Sequence, residues 1–270
     1  IRNNPAKQKK VKTKKQKAIA ATCAVAFWLL VWHVVSLCVG SELVLVSPVK
    51  VVQTLFTVIF DPDFLKTVWY SAARILGGFF TALVLGMVLG WVASRFWVIE
   101  TLLRPITAVI KATPVASFII LVLLWFPGKN LSVIISMLMV FPVIYMNVLE
   151  GIRSADEKLL EMAQVFRLSV GKKLLYIYLP AVAPFFVSAC SVSLGLCWKS
   201  GIAAEVIGTP DGSIGAVFYQ AKIFLQTSEL LAWTVVVVAV SVAFEKLFML
   251  LLRLILKKLK MEDVLNGKRA

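Results

Sequence analysis

From Ala18 to Gly40 the chain carries no Lys, Arg, Asp or Glu, and apolar stretches of similar length recur five more times before residue 255. Nothing else in the sequence constrains the fold as much. About 20 apolar residues in a helix cross a hydrocarbon core of about 30 Å. With no water there, each backbone N–H and C=O must be satisfied inside the span, and a helix does this. The sequence therefore reads as an all-α membrane protein with six transmembrane helices. Composition agrees: 60% of residues are hydrophobic, against about half in a water-soluble domain, and mean hydropathy is +0.89. A formal charge of +15 would suit nucleic acid if it lay along one face. It lies in blocks between and beyond the spans, so the expected partner is the lipid bilayer and no nucleic acid.

Taken in order, residues 1–17 hold eight Lys/Arg and no acid, a basic tail that anchors to anionic lipid and marks the inner side. The chain opens on Ile1 rather than Met, so an N-terminal stretch is expected to be missing, and the first span, Ala18 to Gly40, reads as retained. His33 within it, beside Trp28 and Trp32, is read as an interfacial or packing residue. Residues 41–60 form an outer segment with a short amphipathic piece, Pro48 to Val52, along the surface. The second span is placed at Ile75 to Ser94, with Phe64 to Arg74 leading in along the interface. Gly86 and Gly90 make a small-xxx-small pair that lets another helix approach closely.

Arg95 to Arg104 is read as a short inner turn, and the third span as broken at Pro114. The fourth span is Leu131 to Val148, the fifth Leu179 to Trp198, and the last Leu230 to Leu252. With the N-terminus inside, the inner segments carry eight, three, five and six Lys/Arg, against two, one and two outside. Both termini and the segment between spans four and five are therefore expected in the cytoplasm. Cys23, Cys38, Cys190 and Cys197 lie in apolar surroundings without zinc spacing and read as core or lipid-facing residues.

The inner segment from Glu150 to Pro180 is the one long charged stretch among the spans. Ser154 followed by Glu157 matches a capping box. Leu159, Leu160, Ala163 and Phe166 recur at helical spacing as one apolar stripe. Gly171 offers a sharp turn, and Pro180 removes an N–H where the next span begins. The expected product is a knuckle of two short amphipathic helices with nothing of its own chain to pack on. A loop lying on the membrane surface fits the physics equally well.

The knuckle also carries a resemblance. Glu161, Met162 and Ala163, then Gly171, then Ile177, Leu179 and Pro180 resemble the EAA signature of ABC-importer permeases, with Met162 where that signature has its middle alanine. The run from Leu103-Arg104-Pro105 through Lys111-Ala112-Thr113-Pro114 to Leu124-Trp125-Phe126 is similar to one in nitrate/sulfonate/taurine-type permeases, with Pro127 in place of a glycine. Trp198 to Gly208 resembles the Trp and Ala-Ala-Glu segment of the same proteins. The likeness covers roughly residues 60–255 and implies a type I ABC importer permease fold with a cytoplasmic coupling helix.

In that case residues 1–17 are a cytoplasmic tail, 18–60 the first span with its outer segment, 61–255 the permease core with the coupling helix at 154–175, and 256–270 a second tail. The resemblance implies that Glu161 anchors in a cleft of an ATPase subunit and that Ala163 allows close approach, with Met162 making the contact bulkier. Gly171 makes the turn, and Ile177, Leu179 and Pro180 set the angle of span five. It also implies two ATP-binding subunits, an extracytoplasmic solute-binding protein, a second copy of this chain as homodimer partner, and the bacterial cytoplasmic membrane.

No nucleotide-binding loop is legible, since Phe166 stands where a glycine would precede Gly171-Lys172-Lys173. No metal-spaced cluster or catalytic nucleophile is found either. The expectation is no catalytic residue, no metal and no cofactor in this chain, with ATP and Mg bound by partner subunits. Pathway candidates are Lys199, Ser200 and Glu205 around a small-residue run, and Pro114, whose freed carbonyl needs a neighbour or a wet cavity. Two readings of the charges stay open: Lys199 favours an anionic solute and Glu205 gates, or Lys199 is interfacial and Glu205 pairs with a residue such as Arg74. Glu245 and Lys246 are expected to pair locally or face the bundle.

The leading expectation is the membrane-spanning permease subunit of an ATP-driven importer for a small anion or organic compound, such as a sulfonate, nitrate, taurine or a thiamine-precursor pyrimidine. The alternatives are an ion-gradient carrier, which would show midplane charges and inverted repeats, and a non-transporting membrane scaffold.

Overall fold

The computed structural model describes residues 14–259, and among these the chain is helical throughout. The helices are α1 Lys14–Val39, α2 Pro48–Ile59, α3 Phe64–Arg95, α4 Trp97–Ala112, α5 Val115–Leu123, α6 Leu131–Arg153, α7 Glu157–Val165, α8 Val170–Lys173, α9 Leu179–Gly208, α10 Ile214–Ile223 and α11 Thr227–Lys258. A 3-10 turn, Gly128–Asn130, leads into α6, and a π-helical stretch, Leu174–Tyr178, joins α8 to α9. Five segments are long and apolar enough to cross a membrane: α1, α3, α6, the continuous α8–α9 and α11. A sixth arises if α4 and α5, bent by 106° to each other, count as one broken span. Of the two basic tails, residues 1–13 and 260–270 lie outside the described residues.

The core forms where α3, α6 and α9 meet. Ile75, Phe79 and Ala82 of α3 pack on Val140, Ile144 and Val148 of α6 and on Cys190, Leu194 and Trp198 of α9. Small residues let the three backbones close in, because lipid supplies no hydrophobic force to press helices together and packing must do it. A Cβ on Gly86 would lie 2.8 Å from Ile144 Cγ2, one on Gly90 2.9 Å from Val148 Cγ1, and one on Gly201 2.7 Å from Ser136 Oγ. Ser136 Oγ also donates to the Cys197 carbonyl at 3.2 Å, tying α6 to α9. All four cysteines are free, Cys190 and Cys197 buried and Cys23 and Cys38 exposed.

Several expected boundaries move. The helix that carries the second span, α3, already begins at Phe64, so the expected lead-in to Arg74 is part of it. Within it Arg74 lies over the Tyr70 ring, 4.3 Å from the centroid, which shelters its charge. The inner turn expected at Arg95–Arg104 shrinks to one extended residue, Phe96 at φ −121° and ψ 104°. From there α4 runs on through Arg104 and Lys111. The fifth span continues past Trp198 to Gly208, where Thr209 takes a left-handed conformation at φ 40°. The outer amphipathic piece is a full helix, α2, capped by Ser47 and begun by Pro48. Its Val58 is buried with Ile214, Trp233 and Val236, so it packs on the bundle instead of only lying on a surface.

Candidate functional site

The charged knuckle is α7 with its return into α8. Its cap is Asp156, whose carboxylate accepts from the Lys158 N–H at 2.9 Å. The Ser154–Glu157 capping box does not form: Ser154 closes α6, and its hydroxyl donates back to the Gly151 carbonyl at 2.8 Å. The turn after α7 is not at Gly171 but at Arg167, which adopts φ 50°. Leu168 N–H reaches the Ala163 carbonyl at 2.9 Å and Arg167 N–H the Gln164 carbonyl at 3.0 Å. That is a Schellman closure, and its two hydrogen bonds offset the left-handed strain on a non-glycine residue. Gly171 sits instead in the first turn of α8, exposed, with nothing within 4 Å of a Cβ placed there.

The knuckle does pack on its own chain. Ala163 is fully buried with Ala155 and Ile177, covered by Leu160, Leu168, Tyr178 and Ala181. Ala163 therefore holds α7 against the root of span five. The expected apolar stripe splits accordingly. Leu160 and Ala163 turn inward, while Leu159 is 43% exposed, Met162 49%, Val165 79% and Phe166 71%. Glu161 stays exposed beside a cavity of about 720 Å³ whose walls include Trp91, Arg95, Ile152, Lys173 and Tyr178.

Pro180 does not separate knuckle from span. The i−5 bond of the π turn, from Leu179 N–H to the Leu174 carbonyl, carries the helix across, and Leu179 and Pro180 sit half-buried at the start of α9. The knuckle is thus mechanically continuous with α9. At the same end of the bundle Arg153 of α6 forms an ion pair with Glu100 of α4, the only one among the described residues.

Of the expected pathway residues, Lys199, Ser200 and Glu205 share α9 and Pro114 precedes α5, and they differ in burial. Lys199 is exposed; Ser200 is buried and donates to the Cys197 carbonyl at 3.3 Å. Pro114 is exposed at the α4–α5 bend. Glu205 is completely buried; it makes no direct salt bridge among the described residues, though Arg74 lies near enough for its charge to act on it. Ser71 Oγ donates to its Oε2 at 2.6 Å, Gly215 N–H does so at 3.3 Å, and Ile214 N–H in turn donates to Ser71 Oγ at 2.9 Å. One carboxylate therefore staples α9 to α3 and to the start of α10. A Cβ on Gly215 would collide with Glu205 itself. Glu205 Oε1 and Ser132 Oγ are buried close to each other, but not in the geometry of a full hydrogen bond. Ser71, 134 positions away along the chain, gave no sign of this role in the sequence. Glu245 faces the bundle and accepts from Ser191 Oγ at 2.9 Å.

This staple makes a measurable prediction. Glu205→Gln keeps an acceptor for both donors and offers an amide to Ser132, so its thermal midpoint in detergent should stay within a few degrees of the parent. Glu205→Ala strands the Ser71 hydroxyl and the Gly215 N–H beside a void and should cost about 2–4 kcal/mol. Equal losses in the two variants would remove the stapling role.

The described residues thus form a helical bundle with five to six candidate membrane spans and one exposed apolar helix rooted in the fifth. Residues 82–261 match the family of binding-protein-dependent transport system inner membrane components, and the chain belongs to that family. The chain is 29% identical over 232 residues to SsuC of Bacillus subtilis, named for aliphatic sulfonates transport, covering 85% of this chain and 83% of the relative. It is 26% identical to the taurine transport system permease protein TauC of Escherichia coli, covering 79% and 80%. To the nitrate import permease protein NrtB of Synechocystis it is also 26% identical, covering 75% and 76%. The chain is thus the membrane-spanning permease subunit of an ABC importer, a transport component that works with ATPase and binding-protein partners.

Proposed function

We propose that this permease carries a small anion inward, that α7 is the helix its ATPase partner grips, and that two copies of the chain work with two ATPase subunits. The observation that carries the coupling role is the exposed row Leu159, Met162, Val165 and Phe166 on α7, set on a helix whose inner side is locked to the root of span five by Ala163 and Ile177. An apolar row that its own chain leaves open suits a cleft in a partner. Glu161 adds a charged edge to that contact, and the bare backbone at Gly171 leaves room for the partner beside it. Closure of the ATPase pair on ATP and Mg would draw the two knuckles together, and α9 would follow because α8 runs into it without a break and Ala163 ties α7 to the same root.

Both ends of the chain and the knuckle then face the cytoplasm of a bacterial cell, in agreement with the Lys/Arg distribution. The relatives named for sulfonates, taurine and nitrate support a small anion as solute. The test is reconstitution with the ATPase and binding-protein subunits. ATP-dependent uptake of labelled taurine, methanesulfonate or nitrate, lost when the ATPase is omitted, is the expected result. Uptake without any ATPase would overturn it.

A further inference from the structure

The α4 helix has three distinct sides. Leu103, Thr107 and Ile110 turn into the bundle, while Leu102, Ile106 and Val109 are exposed apolar residues suited to lipid. The third side carries Arg104, Ala108 and Lys111, spaced i, i+4, i+7 and exposed. A cavity of about 440 Å³ opens over it, lined by Arg104, Thr107, Ala108, Lys111, Ala112 and Met146. Lys111 Nζ lies 3.4 Å from Met146 Sδ, a weak acceptor, and neither cation has a carboxylate partner among the described residues.

Lys111 belongs to α4, which together with α5 is long and apolar enough to count as one broken span. It packs beside Met146, seven residues from the Arg153 end of α6, about 10 Å at the helical rise. Immediately beyond it the helix breaks by 106° at residues 113–114, with Ala112 and Pro114 exposed. Irregular backbone at membrane depth persists only where protein covers it or water reaches it. Unpaired cations at depth follow the same rule. Two independent features thus mark one face as wet.

We propose that Arg104 and Lys111 form the cationic wall of the translocation pathway, facing the second permease copy, and that a small monovalent anion passes along them. The inference rests on the anionic-solute reading above. Two cations two helical turns apart give successive weak sites, which allow an ion to be held and released. Ala108 between them keeps the wall open.

The test uses the complete transporter in proteoliposomes, with Cys23, Cys38, Cys190 and Cys197 replaced by serine. Arg104→Cys and Ala108→Cys are exposed in turn to an anionic reagent, sulfonatoethyl methanethiosulfonate, and a cationic one, trimethylammonioethyl methanethiosulfonate. Both positions should react, while Val109→Cys should not. Adding Lys111→Gln to Ala108→Cys should lower the anionic-to-cationic rate ratio about tenfold, and Lys111→Arg should restore it. Inert cysteines at 104 and 108, or a ratio unmoved by Lys111→Gln, would overturn the proposal. The parent's ATP-driven uptake is read alongside: its absence strikes the importer reading, and uptake of uncharged solutes alone strikes the anion reading, whereas the labelling ratio reports on the wall itself.

Discussion

Met162→Asp is expected to cut ATP-driven uptake about a hundredfold while leaving the bundle folded. Met162 is 49% exposed on the outer side of α7 and belongs to none of the buried clusters, so little packing within the chain is lost. A carboxylate forced into a closed apolar contact without a partner costs about 3 kcal/mol, which is a factor of about 100 in binding. The same variant should fail to co-elute with its ATPase subunit, yet keep the parent's thermal midpoint. Met162→Ala restores the alanine that the EAA signature carries at this place and should retain coupling. Parent-level uptake by Met162→Asp would show that the partner grips some other surface.

The second large effect concerns adjacent glycines with opposite surroundings. A Cβ at Gly78 would strike the Val133 carbonyl oxygen and lie 2.8 Å from Ser136 Cβ and 3.1 Å from Met137 N. Two of those three atoms are backbone and cannot rotate away. Gly78→Leu should therefore push α3 from α6, at a cost of about 3 kcal/mol or more, and the protein should elute from detergent as aggregate. Gly77 has nothing within 4 Å, so Gly77→Ala should be neutral or add up to about 1 kcal/mol through helix propensity. Size-exclusion profiles and thermal midpoints of the pair decide the matter. Like behaviour in both would mean that α3 and α6 do not touch as described.

Much of the bundle was legible before any coordinates. Span positions are sums of transfer free energy over about 20 neighbouring residues, and such sums need no knowledge of what lies across the membrane. Errors arose where a distant or unusual contact overrode a local signal. Arg95 to Arg104 read as a turn, yet only Phe96 leaves the helix and α4 runs on from Trp97. Gly171 was the obvious turn residue, yet Arg167 makes the turn because Leu168 N–H can reach Ala163. Ser154 offered a cap, but Asp156 stands two residues nearer the helix and takes its place.

The sequence by itself determined that this chain lives in a bilayer, roughly where it crosses, and which polar segment interrupts the crossings, since those properties depend on runs of neighbouring residues. Only the tertiary structure decided that Ala163 faces inward and Met162 outward, that Glu205 serves Ser71 and Gly215, and that Lys111 lies beside Met146. Each of these depends on which face a helix turns to a neighbour far along the chain, and that choice is made by packing across the whole bundle rather than by local composition.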